Sequence, residues 1–282
     1  MPRPMPRFYE KVAIVTGSSN GIGRATAILF AKEGAKVTIT GRNSSRLDET
    51  KQLLLAEGVS ESYINSIIAD VTTEEGQDAL IRTTVEQFGK IDILVNNAGA
   101  AIPDSNGKVG TDQGLDNYDK VMNLNMRAVV ALTKKVKPYL ETTKGEIVNI
   151  SSIASGPRST PDFPYYSIAK AALDQYTRNT AIDLIQYGIR VNSISPGIVD
   201  TGFGKAMGMS EEASQKFYEA LPTKKECIPA GVAGKPEDIA EAIAFLADRK
   251  SSSYIIGHQL VVDGGSSLIM GLHTTDFASL LQ

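Results

Sequence analysis

The chain has 282 residues, 42% hydrophobic and 22% charged, with a net charge of −3. That balance supports a large core and excludes the basic stripe of a nucleic-acid binder; the densest basic cluster, Lys134, Lys135 and Lys137, reads as a solvated helix face. A single cysteine, Cys227, excludes an intrachain disulfide and suits a reducing compartment, while two histidines, His258 and His273, are too few for a histidine-built metal site.

The opening Met1-Pro-Arg-Pro-Met-Pro-Arg has no apolar h-region, so residues 1–8 read as a short flexible arm rather than a secretory signal. No apolar run reaches the ~18 residues that span a bilayer. A cytoplasmic location is the expectation.

From there the chain alternates. Lys11 to Thr16 is an apolar, β-branched run that reads as a buried strand. A glycine-rich turn, Gly17 to Gly23, leads into a helix over Arg24 to Glu33, closed by Gly34. Lys36 to Thr40 is a second strand and Ser45 to Glu57 a polar helix ending at Gly58. Ile64 to Ala69 is a third strand, followed by a helix over Glu74 to Phe88, and Ile91 to Asn96 is a fourth strand. Asp116 to Tyr139 reads as one long helix, Glu146 to Ser151 as a fifth strand and Tyr165 to Tyr187 as a second long helix. Arg190 to Ser195, a helix over Pro236 to Asp248 and a strand over Gln259 to Asp263 complete the pattern.

Strand–helix alternation of this kind demands an α/β fold: a single-domain, doubly wound parallel sheet of about seven strands with helices on both faces. The domain runs over 9–267, and 268–282 is a tail that could cover a site or pack on another subunit. Two stretches are too long to be plain connections, Ala100 to Gly114 and Thr201 to Ala233. Both follow strands, so both can reach the crevice beyond the strands' carboxyl ends, where open α/β sheets bind ligands. The second carries Phe203, Met207, Met209, Phe217 and Tyr218, which suits an apolar lid over the substrate.

The turn Thr16-Gly17-Ser18-Ser19-Asn20-Gly21-Ile22-Gly23 sits at the first strand–helix junction. Gly17 permits the tight turn, Gly21 admits a pyrophosphate to the backbone, and Gly23 lets the helix pack closely. The helix N-terminus offers free N–H groups to phosphate. Dinucleotide binding is the reading, with a purely structural turn as the alternative.

Four segments in order carry a resemblance: this G-x-x-x-G-x-G turn, Asn96-Asn97-Ala98-Gly99, the Tyr166-x-x-x-Lys170 pair, and Ser195-Pro196-Gly197. Together they resemble the classical short-chain dehydrogenase/reductase (SDR) family, from about Tyr9 to about Ser267. The resemblance implies a Rossmann-type oxidoreductase that moves a hydride between a nicotinamide cofactor and a small-molecule carbonyl or secondary alcohol. It also implies a homodimer or homotetramer built through the two long helices.

In NAD enzymes an acid ends the second strand and holds the ribose 2′-hydroxyl; an arginine there suits a 2′-phosphate. Here Gly41 stands at the acid's place and Arg42 follows. NADP(H) is therefore expected over NAD(H), with Arg42 as a plain surface arginine the alternative. The resemblance places Ser19, Asn20 and Ile22 in the cofactor turn, Asp70 on the adenine amine and Val71 beside the ring. A cap for the helix near Thr73 is the alternative for Asp70. Ala98 and Gly99 are small enough for the backbone to lie on a ribose, and Asn97 braces the sheet. Pro196, Gly197 and the Ile198 backbone are expected on the nicotinamide, with a Thr201 hydroxyl contact.

Tyr166 and Lys170 stand four apart on one helix face. A nearby ammonium favours the phenolate, so Tyr166 can act as general acid in reduction and base in oxidation. Tyr165 lacks a lysine at that spacing. By resemblance Lys170 also binds the nicotinamide ribose, Ser152 donates to the developing oxyanion, and Asn125, with Asn123 as fallback, holds a water in a proton relay. The separation of Ser152 from Tyr166 is one residue longer than the family's, through the proline-rich loop 156–164. A non-catalytic dinucleotide-binding protein and an NAD-linked alcohol or sugar dehydrogenase are the alternatives. A serine hydrolase fails for want of G-x-S-x-G and a usable histidine.

Overall fold

A computed structural model describes residues 5–157 and 160–269, the side chains of 205 and 206 excepted. The first half runs β1 (Val12–Val15), α1 (Gly21–Lys32), β2 (Lys36–Gly41), α2 (Ser44–Ala56), β3 (Ile64–Ile68), α3 (Glu74–Phe88) and β4 (Ile93–Asn96). The second runs α4 (Leu115–Met122), α5 (Ala128–Thr143), β5 (Glu146–Ile150), α6 (Pro164–Ile185), β6 (Arg190–Pro196), α7 (Phe203–Ala206), α8 (Glu211–Ala220), α9 (Pro236–Ala247), α10 (Arg249–Ser252) and β7 (Gln259–Val262). The seven strands form one sheet in the order β3-β2-β1-β4-β5-β6-β7, every pair parallel. This is the expected single-domain Rossmann-type architecture. The order reverses direction between β1 and β4, which opens the ligand crevice at their carboxyl ends.

Both sheet faces are covered, so the inner strands are apolar throughout rather than alternating. Ala13 and Val15 of β1 face one core with Phe30, Val37, Ile39, Ile239 and Ile243. Ile14 faces the other, with Leu80, Leu94, Leu132, Val136 and Leu184. Local signals set the helix ends. The Thr73 hydroxyl accepts from Gly76 N–H to cap α3, Glu74 and Glu75 complement its dipole, and Gly89 closes it at φ 79°.

Two expectations change. The long helix expected from Asp116 is broken into α4 and α5 by a π-helical turn, Asn123–Arg127, because the Asn125 amide reaches out to the backbone of Ala100. The arm does not extend to residue 8: Phe8 is 1% exposed and stacks on Phe30 at 4.4 Å, while Arg7 pairs with Glu33 and, at 2.8 Å, with Glu241. Burying an aromatic ring outweighs the disorder that the prolines suggest. Of the tail, only Leu268 and Ile269 are described; residues 270–282, His273 among them, lie outside the described residues.

At the amino ends of the strands, Arg190 is 1% exposed. It donates to the carbonyls of Ser252, Leu246 and Ile255 and lies 2.9 Å from the Glu146 carboxylate. Arg249 donates to the same carboxylate at 2.6 Å and to the carbonyls of Lys144 and Gly188. The three residues tie β5, β6 and α10 together. Removing one partner of such a group strands a buried charge. Glu146→Ala is therefore expected to destabilise the fold by about 3–5 kcal/mol in urea unfolding; a loss below about 1 kcal/mol would mean that Arg190 finds compensation elsewhere.

Candidate active site

One cavity of about 890 Å³ runs along the carboxyl ends of the strands. Its walls include the glycine turn (Gly17, Ser19, Asn20, Gly21 and Ile22), Arg42, Asp70, Val71, Asn97 to Gly99, Ser152, Tyr166, Lys170, Pro196 to Ile198 and Thr201. Gly23 and Asn125 act from behind this wall.

The turn is held by glycines where side chains cannot fit. Gly17 has φ +64°, and a Cβ there would lie 2.9 Å from the Cα of Ala98. A Cβ on Gly23 would lie 2.4 Å from the Gly17 carbonyl and from the Asn97 amide, so its close packing is against the turn and β4. Asn97 braces the junction as expected: its amide donates to the Thr16 and Gly17 carbonyls at 2.8 and 3.1 Å. Gly21, expected to admit phosphate, packs beneath the Thr201 side chain, 3.0 Å from where its Cβ would be. No acid stands in the first turn of α1, and Asn20 makes no side-chain cap, so that helix end suits an anion.

The end of β2 is equally constrained. A Cβ on Gly41 would lie 3.0 Å from the Ser19 Cβ and Oγ, so an acid at this position would crowd Ser19. Arg42 is largely exposed, its side chain 73% accessible, and approaches Asp70 only to 3.9 Å. Such a surface pair is weak, which leaves the guanidinium available to a ligand. Asp70 does not cap α3, Thr73 does. Its Oδ1 instead accepts from the Thr72 N–H and hydroxyl at 2.9 and 2.7 Å. Burial pushes that carboxyl up, but the Thr72 bonds and Arg42 outweigh it and hold it below its usual range. Val71 is buried and its carbonyl accepts from the Gln77 amide.

At the other end, Ser152 begins a short turn over Ile153–Ser155, and its oxygen accepts from Ala154 N–H at 3.1 Å. That leaves its proton free to point into the cavity, where the hydroxyl is hydrogen-bonded to that of Tyr166. The extra loop residue has not moved the serine from its partner, because Ser152 is fixed to the end of β5; Arg158 and Ser159 lie outside the described residues. Tyr165 points elsewhere, donating to the Gln113 carbonyl at 2.9 Å.

Lys170 is 3% exposed and donates to the Ile150 carbonyl at 2.7 Å, with its ammonium 5.6 Å from the centre of the Tyr166 ring. Burial pushes it down to about 8, against the pull of the Asp174 carboxylate. Burial likewise pushes the Tyr166 phenol up to about 12, although the Ser152 bond draws it down. The expected lowering of the phenol by Lys170 is not what this arrangement produces, because the ammonium is turned to a carbonyl and desolvation dominates.

The Asn125 side chain is spent on backbone: its Oδ1 accepts from Ala100 N–H, and its amide donates to the carbonyls of Ala100 and Val121. It therefore holds the π turn rather than offering its amide to a water. A Cβ on Gly99 would lie 2.8 Å from Asn125 Oδ1 and 3.1 Å from the Lys170 ammonium, so these three pack as a unit. Gly197 packs on Asp263, and the Ile198 carbonyl accepts from Gly234 N–H.

The two long loops part ways. Thr201 to Ala233 folds over the cavity through Thr201, Phe203, Gly204, Met207, Phe217 and Tyr218. Of Ala100 to Gly114 only Ala100 lines it; the rest turns back on Asp104, which accepts from the Asn106 and Gly114 N–H groups. Sequence reasoning missed Arg46, Asn43 and Thr160 on the wall and Asp174 beside Lys170. Arg46 and Asp174 each stand four residues after a chosen residue, Arg42 and Lys170, and that spacing was the available signal.

Comparison with known proteins follows this geometry. A family model described as enoyl-(acyl carrier protein) reductase, adh_short_C2, matches residues 17–267. The human dehydrogenase/reductase SDR family member 4 is 35% identical over 258 residues, 91% of this chain and 87% of that protein. A crystal structure of a Caenorhabditis elegans short-chain dehydrogenase/reductase of unknown function, with cofactor, is 65% identical at a TM-score of 0.95, covering 96% of this chain and all (100%) of that one. A glucose dehydrogenase of Caenorhabditis elegans in the apo form is 66% identical at 0.81, covering 93% and 100%. The chain belongs to the short-chain dehydrogenase/reductase family of oxidoreductases.

The buried ammonium gives a test independent of turnover. With Lys170 held near 8 in the fold against an ordinary 10.5, burying the charge opposes folding fully below pH 8, and the opposition fades as pH rises towards 10.5. Lys170→Met should therefore stabilise the protein by about 2 kcal/mol at pH 7, after the lost Ile150 bond is counted, and the gain should shrink by pH 10. Thermal unfolding at both pH values checks it; a destabilised variant at pH 7 would refute it.

Proposed function

We propose that this short-chain dehydrogenase/reductase transfers a hydride between NADP(H) and a carbonyl or its secondary alcohol. The observation that carries the reading is one continuous cavity joining an anion-ready helix end and Arg42 to the Ser152–Tyr166 hydroxyl pair with Lys170 beneath. The donor set fits a phosphorylated dinucleotide. The α1 N-terminus suits the pyrophosphate, Arg42 the 2′-phosphate, Asp70 the adenine amine, and Pro196 to Ile198 with Thr201 the nicotinamide. Bound there, the cofactor supplies the hydride in reduction and accepts it in oxidation.

The protein's own part is positioning and proton transfer. Ser152 donates its hydroxyl proton to the substrate oxygen as negative charge develops there. Tyr166 passes its phenolic proton to the same oxygen in reduction and takes it back in oxidation. With the cofactor bound, Lys170 would turn from the Ile150 carbonyl to the nicotinamide ribose, and its charge there would favour the Tyr166 phenolate. Asn125 fixes the π turn beside Lys170, on the proposed proton path to solvent; π turns recur at functional sites. A dimer or tetramer through α4–α5 and α6 is part of the proposal, supported by Ile182, 73% exposed on α6. The single free cysteine agrees with a reducing, cytoplasmic setting. Sugar oxidation is the second reading, favoured by the likeness to the nematode glucose dehydrogenase.

Tyr166→Phe should lower turnover by at least about 10²-fold while NADPH binding, read by fluorescence titration, stays within about twofold. Near-normal rates would remove Tyr166 from the mechanism. Arg42→Ala should weaken NADPH binding by about 10- to 100-fold and leave NADH binding unchanged, as a charge-assisted phosphate contact requires. Equal weakening of both would assign Arg42 a structural role.

A further inference from the structure

Charge is segregated along the cavity. Among the described residues, its charged wall residues are Arg42, Arg46, Asp70 and Lys170. The first three stand at the ends of β2 and β3 and the start of α2, at the end assigned to the adenosine half. Lys170 is committed to the Ile150 carbonyl. Among the described residues, the wall beyond Tyr166 carries no ionised side chain: it is built mainly from Ile153, Ala154, Phe203, Met207, Phe217 and Tyr218, with the neutral Thr160 beside them.

The lid's construction keeps it that way. The polar face of α8 is stitched to itself by Glu212–Lys216 at 2.7 Å and Gln215–Glu219 at 2.9 Å, all exposed. Phe217 and Tyr218, an edge-to-face pair at 5.4 Å, turn towards the cavity. The Tyr218 hydroxyl is hydrogen-bonded to Thr201 and to the Gly204 backbone, so it locks the lid to the cofactor-side loop and presents its ring to the substrate. Gly204 lets α7 meet α8, since a Cβ there would lie 2.4 Å from the Ser214 hydroxyl. Phe203 packs on the Tyr166 ring at 5.9 Å and 56°, beside the reactive hydroxyl.

We infer that the substrate is a neutral carbonyl compound with an aryl or branched-alkyl group next to the carbonyl, rather than a sugar or a keto acid. The inference rests on the oxidoreductase reading above and narrows it. Ser152 and Tyr166 satisfy one carbonyl oxygen. A sugar brings several further hydroxyls and a keto acid brings a carboxylate, and among the described residues the wall beyond Tyr166 offers them the Thr160 hydroxyl but no charged group. Burying such groups unpaired is penalised, and a charge far more than a hydroxyl. Aromatic and thioether side chains instead favour a flat or branched apolar group.

The test compares three probes with the purified full-length protein: 1-phenyl-1,2-propanedione with NADPH, phenylpyruvate with NADPH, and glucose with NADP. The first should exceed each of the others at least about 100-fold in kcat/KM. Phe217→Ala should raise KM for the diketone about 10-fold, change kcat less, and leave NADPH affinity unchanged. Phe217→Arg should shift preference at least 10-fold towards phenylpyruvate, with retained NADPH binding showing that the fold survives. Preference of the native protein for phenylpyruvate or glucose, or an unmoved KM in Phe217→Ala, would overturn this inference alone. NADPH binding without turnover of any probe would overturn the oxidoreductase reading with it.

Discussion

The carboxyl ends of β1 and β4 are joined by two side chains, Asn97 and Thr16, and the rest of the site is built outward from that joint. Asn97 holds the carbonyls of Thr16 and Gly17, while the N–H groups of Asn97 and Ala98 both donate to the Thr16 hydroxyl. This fixes the glycine turn against β4 so closely that neither Gly17 nor Gly23 has room for a Cβ. Two residues on, Gly99 lies between Asn125 and the Lys170 ammonium with no room for a side chain. A three-residue segment thus sets the glycine-turn end and the Tyr166–Lys170 end of one cavity in a fixed relation. Such precision suits hydride transfer, where small misplacements are expensive in rate.

The reactive end is held at a cost to stability. Burial opposes both ions of the Tyr166–Lys170 pair, pushing the phenol up and the ammonium down. The surroundings offset this only in part, through Ser152 on Tyr166 and the Ile150 carbonyl and Asp174 on Lys170. Asp174 is itself buried, pushed up by that burial, and accepts from the Gln259 amide at 2.6 Å. Gln259 also reaches Ser155 and Ser195, so β7, at the far edge of the sheet, is linked through Asp174 to helix α6, which carries Tyr166 and Lys170. Strain of this kind is common where side chains are arranged for chemistry rather than for folding. The Glu146–Arg190–Arg249 group, at the opposite end of the strands, carries the structural share of buried charge.

Much of this was legible in the sequence for a physical reason. A strand buried on both faces must be apolar and β-branched, and a helix must stop at residues such as Gly34 and Gly89, so the alternation survives in the letters. The glycines were legible because only glycine fits where the backbone turns or touches itself. The Tyr166–Lys170 pair was legible because one helix face carries both. Other features left no local trace. The π turn depends on Asn125 meeting Ala100 across 25 residues of chain. Phe8 looked like part of a disordered arm because its partner Phe30 lies on another element. The loop after Ala100 folded back on Asp104 instead of reaching the crevice, a choice made by the Asp104 carboxylate accepting from the N–H groups of Asn106 and Gly114, which composition does not encode.

The sequence by itself determined the element order, the parallel sheet, the glycine turn and the Tyr166–Lys170 spacing, since each follows from periodicity, backbone conformation or short spacing. Only the tertiary structure decided which groups share an environment. It set Ser152 on Tyr166 despite a longer loop, turned Lys170 to a carbonyl, and left Gly41 no room beside Ser19. It also gathered charge at one end of the cavity and apolar rings at the other. Burial and cross-element packing fix these properties, and both arise only when residues distant in the chain exclude water from one another.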